Sequence, residues 1–196
     1  MKRTQKTAVK KTGDAAAPKK QSAVAERPGS WHLARTETER RLSEFEFGLE
    51  RLAQAYYRWK AACLAAVCDV PLTGDDVAVL NVVRMGDEPK RLSEIGQLLN
   101  RVDVPNLQYA ARKLVRAGLI ETEGSSSRKE TRYRATSTGR SVTEAYAALR
   151  AATLPPMLEA LDSWAAKSET TSIHLDLISS LYAQAAQVAI TRRHQP

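Results

Sequence analysis

Cysteine is nearly absent from this chain: Cys63 and Cys68 are the only two in 196 residues. Two thiols are too few for a disulfide scaffold or a zinc ribbon, and no secretory signal is recognisable, so a reducing cytoplasmic compartment is expected. On a helix, five residues apart, the two do not share a face, and burial ordinarily makes a thiol inert to oxidants. Glycine (9), proline (8) and aromatics (6%) are also sparse. No apolar run approaches the roughly eighteen residues of a transmembrane helix, so no membrane partner is expected. The histidines, His32, His174 and His194, are scattered without a carboxylate or thiol at ligand spacing, which argues against a metal site. There is no glycine-rich phosphate loop, no Gly-x-Ser-x-Gly elbow and no carboxylate pair in a recognisable setting. Neither a catalytic residue nor a cofactor is expected.

What the chain does have is alanine, leucine and an uneven charge. The net charge of +8 divides into +6 over residues 1–30, +6 over residues 90–140 and −4 over the remainder. A basic tail and one basic module on an acidic body point to a polyanion as partner. Residues 1–30 are rich in Lys, Ala and Pro and lack aromatics, so they cannot offset the entropy of ordering and are expected to be disordered. As a mobile cationic arm they would add salt-sensitive DNA affinity; as a leader they would only solubilise.

Periodicity predicts one helix from Thr38 to Val67, with Leu42, Phe45, Leu49, Leu52, Tyr56, Trp59, Cys63 and Ala66 forming a seam. At 1.5 Å per residue this is ~45 Å long, more than one small module needs, so part of the seam is expected on a second subunit. Pro71 ends the path, and Thr73 with Asp76 signals the cap of a helix from Gly74 to Met85. Lys90-Arg91 reads as a short strand. Ser93 is the expected cap of a helix over Glu94–Leu99 that buries Ile95, Leu98 and Leu99. Asp103 is the expected cap of the next helix, with Pro105 in its first turn, where a missing N–H costs nothing. That helix is expected over Val104–Ala117, stopped by Gly118. Leu119–Glu123 and Glu130–Ala135 then alternate like paired strands about a Gly/Ser-rich tip. A further helix opens near Ser137, and Pro155-Pro156 is expected to interrupt or restart it. Met157–Lys167 and Ser172–Arg192 are the expected last helices, the final one aligning Ile173, Leu177, Leu181, Ala185 and Val188.

Helix, turn, helix and basic hairpin, in that order, are how a compact domain offers one helix to the DNA major groove and a loop to the neighbouring minor groove. Leu107, Ala111, Leu114 and Val115 form the inward face of the second helix. Its outward face carries Asn106, Gln108, Tyr109, Arg112, Lys113 and Arg116. Amides suit adenine and guanidinium suits guanine. Position near the helix N-terminus assigns Asn106, Gln108, Tyr109 and Arg112 to base readout, and Lys113 and Arg116 to phosphate or solvent. In the hairpin, Arg128 and Lys129 lie at the tip, and Arg132 and Arg134 share one strand face with Tyr133 turned inward. Such a loop can place arginine in a narrow minor groove. Any one exposed polar residue is ordinarily a solvated face; the weight lies in the whole unit.

The segment LSEIGQLLNRVDVPNLQYAARKLVRAGLIE followed by SRKETRYRATSTGR resembles the MarR family of winged helix-turn-helix regulators. The "L…LV..GLI" exit and the Thr136…Gly139 pair after the wing carry the likeness, and DVPNLQY is most similar to the LdtR-type subgroup. The resemblance is sharp over Leu92–Arg140 and extends in layout alone to the flanking helices. It implies a mainly α fold with a small β-hairpin wing: a winged helix-turn-helix lobe (72–140) plus a helical dimerisation lobe (38–70 and 141–193), together spanning 31–196. It further implies a homodimer on a pseudo-palindromic duplex operator in the bacterial cytosol, associated with the nucleoid, whose repression or activation, repression being the favoured reading, is relieved by a small, often aromatic, organic effector. An effector pocket between the lobes would draw on Phe45, Tyr56, Trp59, Cys63 and Val79, with Arg58 or Arg84 as carboxylate partners. The family's Asp-x-Arg wing pair is broken here, since Ser126 stands in the Asp position before Arg128. The competing reading is a winged-helix architectural or protein-interaction module with non-specific DNA binding.

Overall fold

The structure, a computed structural model, describes residues 32–124, 131–161 and 163–192. The expectations for the basic tail (1–30), and for Ser126, Arg128 and Lys129 at the wing tip, lie outside these residues. The chain divides into two units, one ending at Arg51 and the other beginning at Leu52. Helix α1 (Glu37–Ala65) runs from the first into the second.

In the first unit, α1 is started by a reciprocal cap. The Thr36 hydroxyl accepts the Glu39 N–H at 3.2 Å while the Glu39 carboxylate accepts the N–H groups of Thr36 (2.8 Å) and Arg35 (2.7 Å). Three backbone donors at the helix start are thereby satisfied. The exposed face of α1 there is laced by Arg40 to Glu37 and Glu44, pairs three and four residues apart.

The second unit is built on helices α2 (Gly74–Arg84), α3 (Leu92–Leu98), α4 (Val104–Arg116), α5 (Ser137–Glu159) and α6 (Trp164–Arg192), with strands β1 (Lys90–Arg91), β2 (Ile120–Glu123) and β3 (Arg132–Ala135). The Thr73–Asp76 capping box of α2 is present as the sequence predicts, Thr73 N–H to the Asp76 carboxylate at 2.9 Å and Asp76 N–H to the Thr73 hydroxyl at 3.3 Å. Two other caps differ from expectation. Strand β1 runs straight into α3, so Arg91 takes the cap position and its N–H donates to Glu94 at 2.6 Å; Ser93 lies inside the helix. Asp103 does occupy the cap position of α4, but its side chain makes no cap hydrogen bond, because its carboxylate is held by Arg101 instead.

Both turns around α4 follow one geometry. After α3, Asn100 adopts φ +51°, its N–H donates to the Gln97 carbonyl (3.1 Å), and the Arg101 N–H reaches back to Gly96 (2.8 Å). After α4, Gly118 at φ +69° donates to Val115 (2.9 Å) and Leu119 donates to Leu114 (3.1 Å). These are paired 5→2 and 6→1 bonds of a left-handed helix terminus, which satisfy carbonyls that would otherwise be orphaned.

The core lies under α4. Leu107, Ala110, Ala111 and Leu114 are buried against Val77, Leu80 and Val83 of α2 and Ile95 of α3, together with Leu64, Leu119 and Ile120. Ala110, not assigned to the inward face from periodicity, is 3% exposed, while Leu98, expected inside, is half exposed. An ion pair locks the packing from the side: Lys113 Nζ lies 2.7 Å from the Asp76 carboxylate, whose side chain is 5% exposed.

The sheet is antiparallel in the order β1-β3-β2, with Lys90 opposite Tyr133 and Ile120 opposite Ala135. Thr136 ties it to α5. Its hydroxyl donates to the Gly118 carbonyl (2.6 Å) and accepts the Gly139 N–H (3.0 Å). At Gly139 an added Cβ would lie 1.9 Å from the Leu119 carbonyl oxygen, so only glycine lets α5 start against the end of α4.

Helix α5 does not break at Pro155-Pro156, contrary to the sequence expectation; both prolines sit within it. Each forfeits one backbone bond, but the carbonyls that lose their donors belong to Ala151 and Ala152, which are exposed to solvent. The break falls after Glu159, with Ser163 at φ +61°, and α6 then runs unbroken from Trp164. The two separate helices expected over Met157–Lys167 and Ser172–Arg192 are therefore not what forms. No residue of α6 is buried.

Two predictions follow from this packing. Gly139→Ala is expected to lower unfolding free energy by roughly 1–3 kcal/mol, the cost of overpacking against backbone, read as a shift of the urea midpoint. Lys113→Met, which leaves the buried Asp76 carboxylate its two Thr73 donors but no cation, is expected to cost about 1–3 kcal/mol, with the double variant Lys113→Met/Asp76→Asn recovering part of the loss.

Candidate nucleic-acid interface

Because α4 spends one face on the core, its other face is fixed toward solvent. Asn106, Tyr109, Arg112 and Arg116 are exposed and Gln108 half-buried. Among the described residues, Arg112 and Arg116 have no ion-pair or hydrogen-bond partner. Their guanidinium groups are therefore available to a polyanion without first breaking an internal contact. Lys113 differs: its ammonium is turned back onto Asp76, so its place on the helix does not make it a free cation.

A groove of about 630 Å³ lies between α3, α4 and the sheet. Gln108 and Arg112 line it from α4, Ser93 and Gln97 from α3, and Arg91 and Tyr133 from the strands. Arg91, Gln97 and Arg101 are additions to the residues singled out from sequence. Their nearness to Gln108 and Arg112 depends on how α3 crosses α4, which no local pattern reports.

The strand arginines are not alike. Arg132 donates to the Pro89 carbonyl at 3.2 Å, bracing the sheet against the loop before β1. Arg134 lies 2.7 Å from Glu121 and 3.9 Å from Glu123 on the adjacent strand, so its charge is largely balanced locally. Tyr133, on the opposite face, packs against the core as its alternation predicts.

At the N-terminus of α4, charge is concentrated and paired. Arg101 Nε and Nη2 grip the two oxygens of Asp103 at 2.8 and 2.5 Å, and Nη1 reaches Asp75 at 3.1 Å. The Arg101 guanidinium beside Asp103, with a further bond from Asn106, holds that carboxyl well below the usual carboxylate range. Nearby, Lys60 is buried with its ammonium 3.9 and 4.5 Å from the rings of Tyr57 and Tyr56, and desolvation pushes its pKa down.

The residues assigned to an effector pocket are dispersed in burial. Cys63 and Val79 are packed in the core, Trp59 is half-buried against it, and Tyr56 and Arg58 are exposed. Phe45 belongs to the first unit, where it is exposed. Burial pushes the Cys63 thiol up, which disfavours the reactive thiolate. Arg84 lines a cleft of about 310 Å³ between α2 and α5, shared with Asn81, Thr143, Tyr146 and Arg150. It pairs with Asp87 at 2.6 Å and Glu144 at 3.5 Å, yet its Nε is buried without a hydrogen-bond partner. Among the described residues, no cluster of histidine, cysteine and carboxylates could hold a metal ion, and no helix is long and apolar enough to cross a membrane.

Residues 72–139 match the model of a winged helix DNA-binding domain. A comparison with curated protein sequences gives no match. Among solved structures, the chain is similar to reduced AbfR bound to DNA, a protein of Staphylococcus epidermidis (TM-score 0.62, 18% identity, 76% of this chain and 98% of that one). It is also similar to NMB1585, a MarR family regulator from Neisseria meningitidis (TM-score 0.56, 16% identity, 78% and 98%). A third is Sco5413, a MarR family transcriptional regulator from Streptomyces coelicolor (TM-score 0.55, 20% identity, 74% and 96%). The chain therefore carries a winged-helix DNA-binding domain at residues 72–139, set in the fold that MarR family regulators share.

Proposed function

We propose that this protein is a MarR-family transcriptional regulator, of the LdtR-type subgroup by its DVPNLQY helix start, that binds a pseudo-palindromic duplex operator as a homodimer and acts as a repressor. The observation that carries the reading is the outward face of α4: Asn106, Gln108, Tyr109 and Arg112 presented from a rigidly packed helix, with Arg112 and Arg116 unpaired among the described residues. Side chains near the helix start take base edges, and Arg116 and the wing take phosphate. Lys113 serves instead as the clamp to α2, and Arg134 reaches DNA only by leaving Glu121. The basic tail and the tip residues Arg128 and Lys129 complete the cationic footprint.

Dimerisation is supported by an apolar row with no cover in the single chain. Ile173, Leu177, Leu181 and Val188 of α6 are all more than half exposed. Four large apolar side chains in one helical row are costly to leave in water. A second copy covering them would fix the separation of two α4 helices near one turn of DNA, ~34–36 Å.

We assign the small organic effector to the cleft between α2 and α5. Arg84 and Arg150 both line it and supply positive charge for a carboxylate, partly offset by Glu144. A ligand that prefers a dimer with another helix spacing would lower operator affinity by population shift.

Arg112→Gln is expected to weaken binding to a selected operator by about 1–3 kcal/mol while leaving affinity for unrelated duplex much less changed. Equal losses on both, with a smaller salt slope, would favour the architectural reading. Footprinting with excess competitor DNA supplies the operator. Leu177→Glu/Leu181→Glu is expected to convert the dimer to monomer in analytical ultracentrifugation and to weaken operator binding in parallel. A wild-type chain that sediments as a monomer would count against the dimer.

A further inference from the structure

The sequence assigns Asn106 to reading a base, but says nothing of which way its amide faces. An asparagine side chain can turn by half a revolution and exchange its donor and acceptor. In this structure the turn is fixed. Asn106 Nδ2 donates to the Asp103 carboxylate at 3.1 Å. An ionised carboxylate only accepts, so the NH2 group must face it and the Oδ1 must face away. The carboxylate is itself immobilised by the two-point grip of Arg101 at 2.8 and 2.5 Å. Arg101 in turn is anchored twice. Its backbone N–H closes the turn onto Gly96 at 2.8 Å, and its third nitrogen holds Asp75 of α2 at 3.1 Å. Its side chain is 18% exposed and that of Asp103 39%, so the grip is half open to solvent and is held by its geometry.

The geometry points to Arg101 and Asp103 as positioning residues for specificity: through the relay Arg101–Asp103–Asn106 they lock the Asn106 amide in one orientation and so set which base it accepts. The inference rests on the reading of Asn106 as a base contact. With one N–H spent on Asp103, the carbonyl and the remaining N–H form the donor–acceptor edge that matches adenine N6 and N7. An amide free to flip would present the opposite edge equally well and lose that choice. The relay also explains why an acid is tolerated where DNA phosphates approach. Arg101 neutralises Asp103, and the pair is kept for orientation, not for attraction.

The test is a comparison of base preferences, using full-length protein and selection from a randomised duplex pool, followed by titration of the selected and single-base-changed duplexes. Asp103→Asn removes a negative charge from the DNA-facing end of α4, so a purely electrostatic or structural role predicts equal or tighter binding to all duplexes, or a uniform loss. The relay predicts a different pattern. Discrimination at one symmetric pair of positions falls on the order of tenfold, with preferences elsewhere unchanged. Asn106→Ala must lose discrimination at the same positions. If it does and Asp103→Asn does not, the relay is wrong while the reading of Asn106 stands. If Asn106→Ala alters no base preference, or the wild-type chain selects no sequence, the reading and the inference fall together. Arg101→Lys, which keeps the charge but not the two-point grip, supplies the same comparison should Asp103→Asn melt out in circular dichroism. It is expected to lose several-fold discrimination at those positions, and an unchanged profile would overturn the proposal.

Discussion

Everything in the winged unit depends on how α4 is held. Leu107, Ala110, Ala111 and Leu114 form one stripe along the helix and are buried against α2 and α3. Burying a leucine contributes about 1.5–3 kcal/mol, so the rotation of α4 about its axis is not free. With that rotation fixed, the direction of Asn106, Gln108, Tyr109 and Arg112 is fixed as well. The two left-handed turns at Asn100 and Gly118 set where the helix begins and ends. Thr136 and Gly139 then dock α5 on the exit of α4, so α4 and the helix leading to α6 share one joint.

Charge is sorted around this helix with some economy. Lys113 is committed to Asp76, Arg101 to Asp103 and Asp75, and Arg134 to Glu121. Arg112 and Arg116 are left without such partners among the described residues. The committed cations shape and orient; the uncommitted ones are available to a polyanion. A count of basic residues over 90–140 treats all of them alike and overstates the charge that DNA would meet on the described residues.

Much of this was legible before any coordinate. The Thr73–Asp76 cap and Gly118 as the stop of α4 are local events, governed by a few neighbouring dihedrals and hydrogen bonds, and the inward turn of Tyr133 follows from strand alternation. Where reading failed, a distant or competing partner had intervened. Asp103 was a good cap by type, but Arg101 two residues earlier offered its carboxylate a stronger, charge-assisted partner. Ser93 lost the cap position because β1 pairs with β3 and so delivers Arg91 to the helix start in extended conformation. Pro155-Pro156 did not break α5, since the carbonyls they orphan are exposed. Leu98 is as apolar as Leu99, and only the crossing of α3 on α4 decides that Leu98 stays in solvent.

The sequence by itself determined the class of fold and the chemistry of the outward face of α4. Helical periodicity, turn residues and side-chain type are written in single residues and their near neighbours. The tertiary structure decided which cations are free, which groove residues stand beside Gln108 and Arg112, and which way the Asn106 amide is held. The first two depend on groups from different elements meeting within about 3 Å; the third joins near neighbours, Arg101, Asp103 and Asn106, whose grip is anchored from another element only through Asp75.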